Sequence, residues 1–194
     1  MSDRKDMELI AELVPVGSRV LDLGCGNGEL LAHLKTQRQC TGYGIELADD
    51  NVLACARRGV NVIQLDLEEG LAAFEDQSFD VVLQLDTLQH LRKTEKMLQE
   101  TARVGRIGIV AFPNFAHWRN RLHVLGGRMP VTKTLPYQWY DTPNIRVGTF
   151  ADFEVLAGKQ GLRTLDSFGI QNGVAVHRWP NLRASVAVFK FERG

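Results

Sequence analysis

Val20-Leu21-Asp22-Leu23-Gly24-Cys25-Gly26-Asn27-Gly28-Glu29 is the stretch of this 194-residue chain whose reading decides the fold. Residues 19–23 read as a short strand with no polar face, as expected of a parallel sheet covered by helices on both sides. Three alternating glycines follow, and a helix is expected over 29–36. Glycines at a strand-to-helix turn let the chain reverse sharply and let a ligand approach the backbone. The spacing is G-x-G-x-G, and Glu29 stands where a dinucleotide-binding G-x-G-x-x-G would place its third glycine. A nicotinamide-dependent oxidoreductase would therefore rest on the glycine loop alone. No G-x-x-x-x-G-K-[ST] run occurs, which excludes a P-loop.

Working outward, Met7, Ile10, Leu13 and Val14 recur at helical spacing before the loop, and this first helix is expected to end near Pro15-Val16-Gly17. After the loop the strand–helix alternation continues. Strands are expected at 41–46, 60–65, 79–83 and 106–112, and helices at 49–58, stopped by Gly59, and at 93–104. Beyond Phe112 the pattern breaks. Residues 113–148 hold four of the six prolines and two of the three tryptophans. A helix over 149–161 and strands over 162–170 and 184–191 close the chain. Those strands have only a loop around His177-Arg178-Trp179-Pro180 between them and so should pair antiparallel at a sheet edge. The expectation is one α/β domain over 1–194, a doubly wound and mostly parallel seven-stranded sheet with an antiparallel edge hairpin, and an insertion at about 113–148.

Two acids share the loop's position at the carboxyl ends of strands, where open α/β sheets bind ligands. Glu46 ends the second strand, roughly 20 residues past the glycine loop, where a carboxylate accepts from both ribose hydroxyls. Asp66 ends the third. Its carboxylate can accept from an adenine amine while Leu67 covers the ring. Each acid alone is equally well read as a solvated loop residue or a helix cap. In register on successive strands, the three features point to an adenosyl ligand.

Composition narrows the alternatives. Lys+Arg and Asp+Glu are both 23, which gives no electrostatic case for nucleic acid or an acidic membrane. No apolar run reaches the length of a membrane span. The first residues, MSDRKDMELI, lack a signal-peptide apolar region, and Cys25, Cys40 and Cys55 form no C-x-x-C. Free thiols, a reducing cytoplasmic setting and no metal site are expected.

With these residues in hand, the chain resembles the class I S-adenosylmethionine-dependent methyltransferases. Residues 22–29 match their first motif, Glu46 their ribose acid and Asp66 their adenine acid. Leu85, after the fourth strand, matches the segment that closes over the adenine or methionine moiety. The resemblance implies that Asp22 and the backbone at Gly24, Cys25 and Gly26 hold the methionine end of S-adenosylmethionine or S-adenosylhomocysteine. A narrower likeness is to the methionine-biosynthesis protein MetW family. It is carried by Gly44-Ile45-Glu46, Asn51-Val52-Leu53-Ala54-Cys55, residues 58–64, Phe112-Pro113-Asn114-Phe115 with His117-Trp118, and Gly127-Arg128-Met129-Pro130-Val131-Thr132. The run Leu135-Pro136-Tyr137-Gln138-Trp139-Tyr140-Asp141-Thr142-Pro143-Asn144-Ile145 is the most diagnostic. The chain departs from the family at Gln84-Leu85-Asp86, where a Ser-Gln-like pair is expected. The likeness implies an accessory role beside a homoserine O-acyltransferase of MetX type, acetyl- or succinyl-transferring, in a hetero-oligomer. The chain has no G-x-S-x-G elbow and is not itself that acyltransferase.

Catalytic machinery is not legible. Methyl transfer needs mainly positioning, and a base only if the acceptor must lose a proton. Asp86, Gln89, His90, Asn114 and His117 stand near the expected methyl position, and His90 reads as either a base or a surface histidine. Phe112-Pro113-Asn114-Phe115 is not the N/D-P-P-Y/F pattern of amino-group methyltransferases. The insertion combines Trp118, Tyr137, Trp139 and Tyr140 with Arg128 and further basic residues, the residue types of interface hot spots. These residues, with Asn114, are the candidates for substrate or partner contact, and the segment fits a cofactor lid as well as an interface. Nucleic-acid stacking is disfavoured by the zero net charge. An ordinary small-molecule methyltransferase is the alternative reading.

Overall fold

The computed structural model describes residues 4–194. Helix α1 (Arg4–Leu13) precedes strand β1 (Arg19–Leu23). Then come α2 (Glu29–Arg38), β2 (Thr41–Glu46), α3 (Asp49–Arg57), β3 (Val62–Gln64), β4 (Phe79–Leu85), α4 (Thr94–Val104) and β5 (Gly105–Pro113). The second half holds α5 (Trp118–Leu125), α6 (Phe150–Lys159), β6 (Leu162–Gln171), β7 (Val174–Val176), α7 (Pro180–Arg183) and β8 (Val186–Arg193). The sheet order is β3-β2-β1-β4-β5-β8-β6-β7. Strands β1 to β5 pair parallel, and β8 inserts antiparallel between β5 and β6. Strand order reverses between β1 and β4, and ligands of open α/β sheets bind at such a switch point.

Alternate residues of β1 and β4 feed opposite faces, which is why those strands read as unbroken apolar runs. Val20, Val81 and Leu83 belong to a core with Ile10, Leu30 and Leu34. Leu21, Leu23 and Val82 belong to another with Ile45 and Met97. A third core lies under α6, where the Phe189 ring sits 4.4 Å from Phe150 and 4.5 Å from Phe153, within the range for favourable ring pairs.

The sheet has eight strands where the sequence reading expected seven. The extra strand is β7, placed on β6 by a two-residue turn at Asn172-Gly173 whose φ angles are 52° and 74°. Both angles suit an Asn-Gly hairpin turn. Three residues are too few to show alternation, so β7 was read as loop. The insertion is likewise not irregular throughout, because α5 lies inside it. Trp118, Leu122 and Leu125 of α5 do recur at helical spacing, but over only eight residues, and in the fold they are exposed while Asn120 alone is buried. Helix α7, in the expected terminal loop, is a single turn started by Pro180 at its first position. Leu85 is the last residue of β4, paired with Ala111, and not a residue beyond the strand. The chain leaves the strand one residue later, at Asp86, with φ 53°.

Candidate functional site

The glycine loop is fastened to the neighbouring strand. Gly24 and Cys25 both donate their N–H to the Ile45 carbonyl, at 2.8 and 3.0 Å. Gly24, Gly26 and Gly28 have φ of 77°, 54° and 76°, conformations that cost an L side chain free energy. Their surroundings differ. A Cβ on Gly24 would lie 2.5 Å from the Thr87 hydroxyl, whereas one on Gly26 would meet nothing within 4 Å. Thr87 in turn donates to the Leu23 carbonyl at 2.8 Å, so it buttresses the loop from below. Gly26 faces open space. Gly24→Ala should therefore lower stability by about 2–4 kcal/mol, from overpacking plus left-handed strain. Gly26→Ala should cost only ~1 kcal/mol and act on ligand binding. Thermal melts of the two variants measure the difference.

Glu46 closes the loop from the side. One carboxylate oxygen accepts the Gly26 N–H at 2.8 Å, and the other accepts from Leu47 and Ala48 at 2.9 and 3.0 Å. These bonds fix the carboxylate beside the open Gly26 and leave one acceptor site, on the oxygen that faces Gly26. Asp66 stands one strand further out. Glu46 pairs with Gln64, and Leu65 donates to the Glu46 carbonyl at 3.2 Å, so Asp66 follows at the adjacent strand end. One Asp66 oxygen caps the 3-10 turn Leu67–Glu69 by accepting from Glu68 at 2.9 Å. Leu67 is buried in the core with Leu71 and Leu23, which takes most of its side chain away from a ligand.

Asp22 is the buried acid of the loop, 3 % exposed. Burial, and secondarily the Glu46 charge, push its carboxyl up to about 7. A cation at this place would reverse both effects, since it replaces lost hydration and offsets Glu46. Behind the loop the Cys25 and Cys55 thiols touch at 3.8 Å, and Cys55 donates to the Gly26 carbonyl at 3.2 Å. Burial is the main cause that raises both thiols, which makes them poor nucleophiles.

The donor set fits an adenosyl ligand. It offers a carboxylate beside an open glycine for a ribose diol, a second carboxylate at the next strand end for an amine, and a buried acid for an ammonium. Thr87 is the residue that sequence reading missed here, because its role depends on where β4 ends relative to the loop.

A separate polar hollow of about 590 Å³ lies at the carboxyl ends of β4 and β5. Asp86, Gln89, His90, His117 and Tyr137 line it. His90 is exposed with Nδ1 3.1 Å from the Pro143 carbonyl. His117 is 5 % exposed, and burial, then Arg119, lowers its pKa. Asn114 is elsewhere. Its amide nitrogen lies 3.4, 3.0 and 2.8 Å from the carbonyls of Pro180, Asn181 and Ala184, and its oxygen accepts from Ala116 and Phe150. At 1 % exposure it ties β5 to α6 and α7 and offers nothing to a substrate or partner. Trp118, Arg128, Tyr137, Trp139 and Tyr140 lie away from the glycine loop and are exposed, with Trp139 and Tyr140 both at 71 %. Their rings meet edge-on at 5.6 Å. Among the described residues no cluster of metal-ligand side chains occurs, and no helix is long and apolar enough to cross a membrane.

The sheet order, the glycine turn and the two strand-end acids define an α/β domain of methyltransferase-like fold. A SAM-dependent methyltransferase from Thermotoga maritima superposes with TM-score 0.71 over 98 % of this chain and 88 % of its own, at 17 % identity. The [4+2]-cyclase SpnF superposes with TM-score 0.70 over 97 % of this chain and 80 % of its own, at 16 % identity, so the fold alone does not name a reaction. The chain belongs to the methionine biosynthesis protein MetW family, whose model matches residues 4–191. It is 40 % identical over 203 aligned positions to the bifunctional methionine biosynthesis protein MetXA/MetW of Rhodopirellula baltica. That match covers 97 % of this chain but only 32 % of the relative, so the chain spans about a third of that protein's length.

Proposed function

We propose that this chain is an S-adenosylmethionine-binding accessory protein that enables or regulates a homoserine O-acyltransferase of MetX type through complex formation in the cytoplasm. The observation that carries the reading is the bifunctional MetXA/MetW relative, in which a part homologous to nearly all of this chain shares one polypeptide with a MetX part. Two activities joined in one chain in one organism fit a standing association of separate chains in another. The absence of a G-x-S-x-G elbow means that the acyl nucleophile must come from the partner. The free thiols Cys25, Cys40 and Cys55 suit a reducing compartment.

For the cofactor, Glu46 would accept from a ribose hydroxyl, Asp66 from the adenine amine and Asp22 from the methionine ammonium. Leu85, half-buried at the end of β4, would border the adenosyl moiety. S-adenosylmethionine supplies an activated methyl group when bound. In an accessory protein its role is that of a signal. Because it is made from methionine, different affinities for the free and the complexed chain would couple end product to pathway entry. A small-molecule methyltransferase is the second reading, and the hollow lined by Asp86, His90 and His117 at the ends of β4 and β5 favours it.

The test is reconstitution. Acyl transfer by the purified partner enzyme should depend on added chain and respond to S-adenosylmethionine. By calorimetry, Glu46→Ala should bind that ligand at least tenfold more weakly. Equal acyl transfer with and without the chain ends the accessory reading. Release of S-adenosylhomocysteine with a defined acceptor would establish the second.

A further inference from the structure

Next to the polar hollow, and sharing Gln89, Pro113 and Asn144 with it, lies a second cavity of about 670 Å³. It falls within the size range of small-molecule sites. Its walls are Leu88, Phe112, Phe115, Val147, Phe153 and Leu156, contributed by the approach to α4, the end of β5, the insertion and α6. Phe112 and Phe153 are 4 % exposed, so the aromatic floor is firmly packed. The mouth is different in kind. Arg92, Lys93, Lys96 and Arg146 stand around it, all exposed, against Glu95 and Asp152. Four cations against two carboxylates leave the mouth with an excess of positive charge, and Asp152 is held in the α6 cap by the Thr149 hydroxyl at 2.7 Å. Helix α4 also begins at this rim, at Thr94, and no side chain caps it, so its first N–H groups add to the positive end.

An apolar interior under a cationic rim matches a ligand with an apolar tail and an anionic head. We propose that this cavity binds an acyl-chain carboxylate, with its chain against Leu88, Phe112 and Leu156 and its head at Lys93, Lys96 and the start of α4. None of the adenosyl-site residues lines it, so the proposal stands independently of the cofactor reading.

Decanoate and decyltrimethylammonium, both below micelle-forming concentrations, are titrated into the full-length chain by calorimetry. Saturable one-site binding of decanoate is expected, with at least tenfold weaker binding of the cation. Lys93→Glu combined with Lys96→Glu, both at exposed positions, should weaken decanoate at least tenfold without changing the melting temperature. Leu156→Trp should obstruct the chain. Should that variant fail to fold, the charge reversals decide the matter alone. Glu46→Ala should leave decanoate binding intact, which separates this cavity from the adenosyl site. No saturable decanoate binding, equal binding of the cation, or unchanged affinity after the double charge reversal would overturn the proposal.

Discussion

At pH 8 the ligand-free Asp22→Asn variant should melt roughly 4–8 °C above the parent chain, while its affinity for S-adenosylmethionine falls about thirtyfold or more. The stability gain follows from linkage. The Asp22 carboxyl is raised from 3.8 to about 7 in the folded chain, so between those values the native state holds a proton that the unfolded state has released. Stability from this group is therefore highest below the unfolded pKa. It falls as pH rises through the window from about 4 to about 7, and no more is lost above it. Three units correspond to a ceiling of about 4 kcal/mol, and a buried amide in place of the acid costs ~1–2 kcal/mol of that, leaving a net gain of about 2 kcal/mol at pH 8. At pH 4 the folded acid is already neutral, so the gain is nearly gone, the amide's cost remains, and the variant should be about 1 kcal/mol less stable than the parent. Binding moves in the opposite sense. An ammonium pairs with the ionised acid, so parent affinity should strengthen as pH rises from 5 through 7, whereas the amide variant should show a flat profile. Melting curves at pH 4 and 8 with parallel calorimetry check both halves. A variant that binds normally, or that is destabilised at pH 8, would remove Asp22 from the site. Both results together would mean that the fold tolerates an unfavourable buried acid because a ligand relieves it, an exchange of stability for function.

The first half of the molecule is open to inspection in the sequence because its signals are local and periodic. Residues 19–29 carry an apolar run, three glycines at alternate positions and the start of α2, and each constrains the same turn. Glu46 and Asp66 can be placed at strand ends from the sequence because strand ends are fixed by the runs that precede them. What they touch was not legible. The Glu46 bond to Gly26 depends on β2 lying beside β1, a tertiary fact. Leu67 shows the same limit, since its packing in the core with Leu71 and Leu23 is a tertiary fact. The second half was harder for three physical reasons. Helix α5 is only eight residues long, so its stripe of Trp118, Leu122 and Leu125 is too short to stand out. Strand β7 is shorter than one period of reliable alternation, although Asn172-Gly173 is a strong hairpin signal and could have revealed it. Asn114 lies among motif residues and looks functional, yet it serves as a buried junction whose three acceptor carbonyls come from a segment almost 70 residues away. Both cavities beside Gln89 are built from four or more separate segments, and no local pattern announces them.

Trp139→Ala combined with Tyr140→Ala should weaken the proposed complex with the acyltransferase about a thousandfold and leave the isolated chain's melting temperature within about 2 °C of the parent. Both rings are 71 % exposed and touch each other, so truncation removes little that supports the fold. Met129 and Val131 border one shallow depression with Trp139, and Trp118, Leu122, Leu125 and Ile145 of the same segment are also exposed, so this stretch carries many large apolar side chains on the surface. Exposed apolar surface of that density marks an interaction face, since water contact with so much hydrocarbon is unfavourable unless a partner covers it. Aromatic anchors at such faces contribute about 2 kcal/mol or more each, and two together account for the stated factor. Prolines 130, 136 and 143 restrict the same segment, so less ordering cost is met on docking. Tyr137 differs, because it also lines the polar hollow with Asp86 and His117. One stretch of chain thus borders the hollow with Tyr137 and presents Trp139 and Tyr140 outward. That places a partner bound to the outer rings two residues from a wall of the inner site, a short path by which occupancy of one could bias the other. Titration of the acyltransferase with parent and double variant measures the loss, and acyl transfer in the same samples reads its consequence. Full activation by the double variant at stoichiometric concentration would move the interface to another face of the molecule.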